Sequence, residues 1–199
     1  MAPPIILASG SAIRRELLTN AGLDFEVERP RVDEDALRAA LELEGAKPHD
    51  IADALAEMKA RRVAEKRPEA LVIGCDQVLE LDRQILTKPE TPEAARTQLL
   101  ALRGKRHRLL SAVVVCEDAK PVWRHIGQAR LEMRDFSDAY LNTYLERQGQ
   151  AVTDTVGSYK LEAEGVRLFS RVEGDYFTVL GLPVVQLLNW LTARRFIAG

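Results

Sequence analysis

The chain has 199 residues, 46% of them hydrophobic and 29% charged, with a formal net charge of −2. That balance suits one soluble domain spanning 1–199 with a sizeable core, and it excludes a general electrostatic pull towards nucleic-acid polymers or anionic membranes. Two cysteines, Cys75 and Cys116, are too few for a disulfide framework. Each sits in an apolar run and reads as a buried, reduced thiol suited to the cytoplasm.

Met1-Ala2-Pro3-Pro4 leads straight into an apolar run, with no basic segment followed by a long apolar one, so neither a signal peptide nor a spanning helix is expected. Ile5-Ile6-Leu7 predicts a short buried strand. A turn of small residues follows, then a helix capped by Ser11 and ended by Gly22. Arg14 and Arg15 fall in the first turn of that helix, where the dipole is already positive. Each charge costs about 0.3–1 kcal/mol there unless an anion offsets it. With Ser9, Gly10 and Ser11 supplying hydroxyls and an approachable backbone, a phosphate is the natural occupant.

Leu23, Phe25 and Val27 alternate with Asp24 and Glu26, predicting a half-buried strand that Pro30 ends. Asp33-Glu34-Asp35 then reads either as an acidic helix start or as hard oxygen ligands for a divalent cation. The next helix takes Asp50 as its cap, with Ile51, Leu55, Met58 and Val63 on one stripe. Lys59 lies at the margin of that stripe and Arg62 shares its face, so helical geometry singles out neither.

Leu71 to Leu81 predicts a central strand, turned by Asp82-Arg83 into Gln84-Ile85-Leu86. Asp76 follows a run with no other polar side chain. A carboxylate beside buried sheet is costly unless it is paired, hydrogen-bonded or metal-bound, so Asp76 is a candidate functional residue. Pro89 biases Lys88 away from helix and so aims its ammonium.

Thr91-Pro92-Glu93 starts a helix that stops at Gly104. His107 to Cys116 and Val122 to Met133 predict partner strands around a turn at Asp118 to Pro121, and Ser137 caps a helix ending near Gly149. His49, His107 and His125 lack ligand spacing, which argues against histidine metal binding. Gly157-Ser158-Tyr159-Lys160-Leu161-Glu162 precedes a strand expected over Val166 to Val172. Glu173-Gly174-Asp175-Tyr176 follows, and Gly181-Leu182-Pro183 opens a last helix with Val184, Leu187, Leu188 and Leu191 facing the core.

Helices between the early strands and hairpins in the middle predict an α/β fold with a mixed sheet flanked by helices. Four cations (Arg14, Arg15, Lys59, Lys88), two carboxylates (Glu34, Asp76) and a phosphate-type turn suit phosphoryl transfer. No Ser-His-Asp set, Gly-Lys-Ser/Thr loop or Cys/His metal spacing competes.

The pattern from Leu7, Leu-Ala-Ser-x-Ser-x-x-Arg-Arg-x-Leu-Leu, closely resembles the N-terminal motif of the Maf family of nucleoside triphosphate pyrophosphatases, with Ala12 where Pro is often found. Lys59-Ala60 with Val63-Ala64, Gly74-x-Asp76, Thr87-Lys88-Pro89 (Thr87 replacing Gly), Glu-Gly-Asp-Tyr and Gly-Leu-Pro extend the resemblance over nearly the whole chain. It implies an elongated mixed sheet with two lobes around a central cleft, and hydrolysis of a nucleoside triphosphate between the α and β phosphates. Ser9, Arg14, Arg15, Lys59 and Lys88 would then hold phosphates, and Glu34 with Asp76 a Mg²⁺ or Mn²⁺. Asp76 would act as the base, as a metal ligand or as both.

Gln77 and Glu162 resemble the 7-methyl-GTP branch of that family. A carboxylate suits a positively charged base that presents N–H donors. Ile13 stands where that branch often carries an aromatic, which leaves a dTTP or UTP preference as the alternative. A non-catalytic nucleotide-binding regulator of septum formation is a further alternative, and it predicts binding without turnover. A homodimer is implied by the family alone.

Overall fold

The structure is a computed structural model and describes residues 3–198. Met1 and Ala2, which open the segment read as free of a leader, lie outside the described residues. In chain order the elements are β1 (Ile5–Ala8), α1 (Ala12–Asn20), β2 (Glu26–Val27), α2 (Glu34–Leu43), α3 (Pro48–Ala64) and β3 (Leu71–Leu81). β4 (Gln84–Leu86), α4 (Pro92–Leu102), β5 (Arg106–Glu117), β6 (Lys120–Met133) and α5 (Asp138–Gln148) follow. β7 (Phe169–Glu173), α6 (Tyr176–Val179) and α7 (Val184–Ala193) close the series.

Among the described residues the strands form one seven-stranded mixed sheet in the order β2-β1-β3-β5-β6-β7, with β4 paired to β3. The chain divides into two compact units, one of residues 1–77, 110–127 and 175–199, the other of residues 78–109 and 128–174. No helix among the described residues is long and apolar enough to cross a membrane.

In the first unit β1 pairs in parallel with both neighbours, Leu7 lying opposite Val27 on β2 and Ile73 on β3. All four β1 residues are buried, as a strand covered on both faces requires. α3 packs onto β3 at Gly74, where an added Cβ would clash with the Ala56 carbonyl and lie 2.6 Å from the Ala60 nitrogen. Backbone therefore meets backbone at that point.

Three expectations change in this unit. α3 begins at Pro48 with Lys47 as its cap, not at Asp50, because a proline ring suits the first turn, where its missing N–H is not needed. The strand expected from Leu23 shrinks to Glu26–Val27, and Val27 is 45% exposed. β2 is the edge of the sheet, and only Leu23 of the alternating set is buried. On α7, Val184, Leu187 and Leu191 are buried whereas Leu188 is only half-buried.

In the second unit the β3–β4 hairpin pairs Leu79 with Leu86 and Leu81 with Gln84. Asp82 and Arg83 both adopt positive φ, 51° and 69°, the conformation that matches the twist of a two-residue hairpin. Thr91 caps α4 and Ser137 caps α5, as expected. His107, Tyr159 and Phe169 form a buried cluster in which a His107 ring nitrogen lies 2.8 Å from the Tyr159 hydroxyl. The strand expected over Val166 to Val172 is a 3₁₀ turn at Glu164–Leu168 followed by β7. Gly165 sits against the Lys160 backbone, with an added Cβ 2.5 Å from its carbonyl oxygen, so the chain is folded on itself where a strand would run straight.

Candidate active site

Asp76 is only 6% exposed on β3, and its Oδ1 lies 2.6 Å from the Lys59 ammonium. The same ammonium lies 2.7 Å from Glu34 Oε2. Lys59 is 7% exposed, on the stripe of α3 that also buries Ala52, Leu55, Ala56, Ala60 and Val63. Arg62, which shares its helical face on simple periodicity, is exposed. The close approach at Gly74, two residues before Asp76, brings this part of α3 against the strand.

Glu34 opens α2, where Asp33 caps the helix by accepting a 3.0 Å hydrogen bond from the Ala36 amide. The acidic triplet thus divides its labour: Asp33 serves the helix, Glu34 serves Lys59, and Asp35 pairs with Arg38. Burial pushes the Asp76 carboxyl up from its ordinary range, and Glu34 adds to that. Lys59 and Arg14 oppose it.

The turn from β1 to α1 supplies the second cation. The Ser11 hydroxyl accepts from the Arg14 amide at 3.4 Å, and the buried Ser9 hydroxyl accepts from the Ser11 amide at 3.2 Å. The Arg14 guanidinium donates through Nε to the Gly181 carbonyl at 2.8 Å and through a terminal nitrogen to the Cys75 carbonyl at 3.0 Å. Gly181 has φ +96°, and an added Cβ would lie 3.3 Å from the guanidinium, so this position needs glycine twice over. Arg14 is therefore anchored one residue before Asp76, whereas Arg15 is exposed.

Gln77 has other partners. Its side-chain nitrogen donates to Ser111 Oγ at 2.9 Å and to the Val179 and Thr178 carbonyls at 3.0 and 3.2 Å. Ser111 in turn donates to the Thr178 carbonyl at 2.7 Å. Strand alternation turns Gln77 to the face opposite Asp76. Its amide donors are used within the protein, and what it has left to offer is its carbonyl oxygen. Ile13 is half-buried on α1.

Lys88 and Glu162 belong to the second unit, both exposed, Lys88 after β4 and Glu162 in a turn before the 3₁₀ segment. A cavity of about 230 Å³ in that unit is lined by Glu80, Arg83, Arg106, Arg108, Arg130 and Glu132 among others. Arg108 pairs with Glu80 and Arg106 with Glu132, and none of Ser9, Arg14, Glu34, Lys59 or Asp76 lines it. We place the candidate chemistry at Asp76 and not in this cavity.

The residues that sequence reasoning missed are Ser111, Thr178 and the carbonyl groups that hold Arg14, while Gly74 stood in the Gly74-x-Asp76 pattern without its packing role. Ser111 carried a signal, as a polar residue inside the run Leu109 to Cys116.

A family model described as Maf-like protein matches residues 4–194. This chain belongs to the Maf family. Among Maf relatives, the nucleoside triphosphate pyrophosphatase of Ruegeria sp. (strain TM1040) is 58% identical over 197 residues, 99% of each chain. The nucleoside triphosphate pyrophosphatase of Caulobacter vibrioides (strain ATCC 19089 / CIP 103742 / CB 15) is 54% identical over 94% of each. The 7-methyl-GTP pyrophosphatase of Mesorhizobium japonicum (strain LMG 29417 / CECT 9101 / MAFF 303099) is 48% identical over the full length of both.

In this Maf chain no group of three or more His, Cys, Asp or Glu residues among those described is arranged to hold a metal by itself. The two carboxylates that converge on Lys59 do fit a Mg²⁺-type site. Such ions are commonly bound by one or two carboxylates plus substrate phosphates and water.

Proposed function

We propose that this protein hydrolyses the α–β anhydride of a nucleoside triphosphate, releasing a nucleoside monophosphate and pyrophosphate. The observation that carries the reading is the buried pair Lys59–Asp76, joined by the more exposed Glu34, beside the anchored Arg14. A carboxylate whose proton affinity is raised by burial is better matched to taking a proton near neutral pH than an exposed one. Asp76 accepts a proton from water as the water oxygen bonds to the α-phosphorus and the bond to the bridging oxygen breaks. The electron pair leaves on pyrophosphate. Arg14 and Lys59 face the negative charge that accumulates on the phosphates. Glu34 and Asp76 would hold Mg²⁺ or Mn²⁺, which supplies further charge neutralisation on the polyphosphate. Ser9, Arg15 and Lys88 complete the phosphate contacts in this reading, and Lys88 rests there on the family motif alone.

For the base we favour 7-methyl-GTP. Gln77 and Glu162 match that branch, and relatives at 45–48% identity carry that name. A dTTP or UTP preference is favoured by one specific feature, the aliphatic Ile13 in place of a stacking aromatic. The reading includes a cytoplasmic setting, in which the buried Cys75 and Cys116 stay reduced, and a homodimer testable by light scattering.

The deciding experiment is product analysis with 7-methyl-GTP, GTP, dTTP, UTP and CTP, with Mg²⁺ and then Mn²⁺. Pyrophosphate from 7-methyl-GTP well above the rest supports the whole reading. A dTTP or UTP preference keeps the reaction and replaces the base. Orthophosphate alone, or nucleotide binding without turnover, overturns the reaction, and the second outcome favours the septum-regulator alternative.

A further inference from the structure

Glu34 and Asp76 come from different elements yet share a single cation. Lys59 Nζ lies 2.7 Å from one and 2.6 Å from the other, so the ammonium occupies the point on which both carboxylates converge. The three side chains differ in freedom: those of Lys59 and Asp76 are 8% and 9% exposed, while that of Glu34 is 46% exposed. Both carboxylate oxygens already face one point, and Glu34, the more exposed of the two, is the side chain freer to close on a cation held there. A metal ion and the ammonium cannot both occupy that point. Both are cations, and each needs the same oxygens.

We propose that Lys59 is the resident counter-ion of the Glu34–Asp76 pair, so that loading a divalent metal and releasing Lys59 to the nucleotide phosphates are a single exchange. The inference rests on the reading of this site as a phosphate site. An ammonium displaced by metal in the free protein would be left buried without a partner, which disfavours metal binding before nucleotide. A polyphosphate supplies the missing partner. Metal and nucleotide therefore bind together, and the free enzyme does not hold metal tightly.

The test is Mn²⁺ binding to the protein without nucleotide, followed by loss of the free-ion electron paramagnetic resonance signal, in wild type and in Lys59→Met. Removing the ammonium leaves both carboxylates available, so the variant is expected to bind Mn²⁺ at least tenfold more tightly than wild type. Adding Asp76→Asn to Lys59→Met should abolish the gain. Equal or weaker Mn²⁺ binding by Lys59→Met, or no binding by either protein, overturns the proposal.

If Lys59→Met folds poorly, Lys59→Gln and thermal melts take its place. Mn²⁺ should then raise the variant's Tm by more than it raises that of wild type, and an equal or smaller rise counts against the exchange. Pyrophosphate release by wild type, measured in parallel, separates the two readings. Tightened Mn²⁺ binding without any pyrophosphatase activity would remove the reaction and leave the exchange. Activity with unchanged Mn²⁺ affinity would remove only the exchange.

Discussion

Gly74 on β3 lies against Ala56 on α3 so closely that no side chain fits between strand and helix. An added Cβ would strike the Ala56 carbonyl and come within 2.7 Å of the Ala60 Cβ. This contact sets where Lys59 meets Asp76. Gly74→Ala must push α3 outwards, and such overpacking typically costs about 1–3 kcal/mol. Urea unfolding should show that loss. Steady-state kinetics at a temperature where the variant is folded should show a fall in kcat larger than that of a surface control such as the exposed Glu146→Ala. A variant with wild-type kinetics would mean that the helix position does not govern the site.

Asp76→Asn keeps the shape of the side chain and removes its capacity to take a proton. Turnover should fall by about 10²–10⁴, the usual worth of a positioned general base. Circular dichroism and Tm should stay near wild type, because the amide fills the same space and Lys59 retains Glu34. A rate within a few-fold of wild type would remove Asp76 from the role of base.

Arg14→Lys should cost more than Arg15→Lys. A guanidinium spans the Gly181 and Cys75 carbonyls at once, and a single ammonium cannot reproduce that fork. Hydrogen bonds to charged groups are worth about 1.5–3 kcal/mol each, so losing one should destabilise Arg14→Lys by about 2 kcal/mol and raise KM. Arg15→Lys should leave Tm unchanged. Equal effects of the two substitutions would show that the anchoring is not what matters.

His107 gives a pH signature. Burial holds its imidazole down to about 4, and its second ring nitrogen has no partner among the described residues. An unfolded chain takes up this proton near the ordinary value of 6.5, so between pH 6.5 and 4 the unfolded state binds more protons than the folded one. Stability from this group is complete above pH 6.5 and is lost as pH falls towards 4, by about 3 kcal/mol when fully developed. Urea titrations at pH 7, 5.5 and 4.5 should show the decline, and His107→Gln should flatten it.

Much of the fold was legible because its signals are local. Ser11, Thr91 and Ser137 cap the helices they precede, Asp82-Arg83 makes the tight hairpin, and the apolar run before Asp76 is a buried central strand. What escaped depends on contacts distant in sequence. Periodicity could not prefer Lys59 over Arg62, since only the approach of α3 to Gly74 buries one and leaves the other in water. The partners of Gln77 were hidden for the same reason, because the Thr178 and Val179 carbonyls lie a hundred residues further along the chain. The strand expected at Val166 failed because local apolar content cannot register that Gly165 folds back on Lys160.

Cys75 sits between the strand's approach to α3 and Asp76, fully enclosed, with its thiol pushed up to about 11 by burial. Its backbone carbonyl is occupied by Arg14. A thiol so placed is inert while the strand stays in position, since only the thiolate reacts and no reagent can reach it. Alkylation at this sulfur is therefore a stopwatch built into β3, and its rate counts how often Asp76 and its surroundings open to solvent.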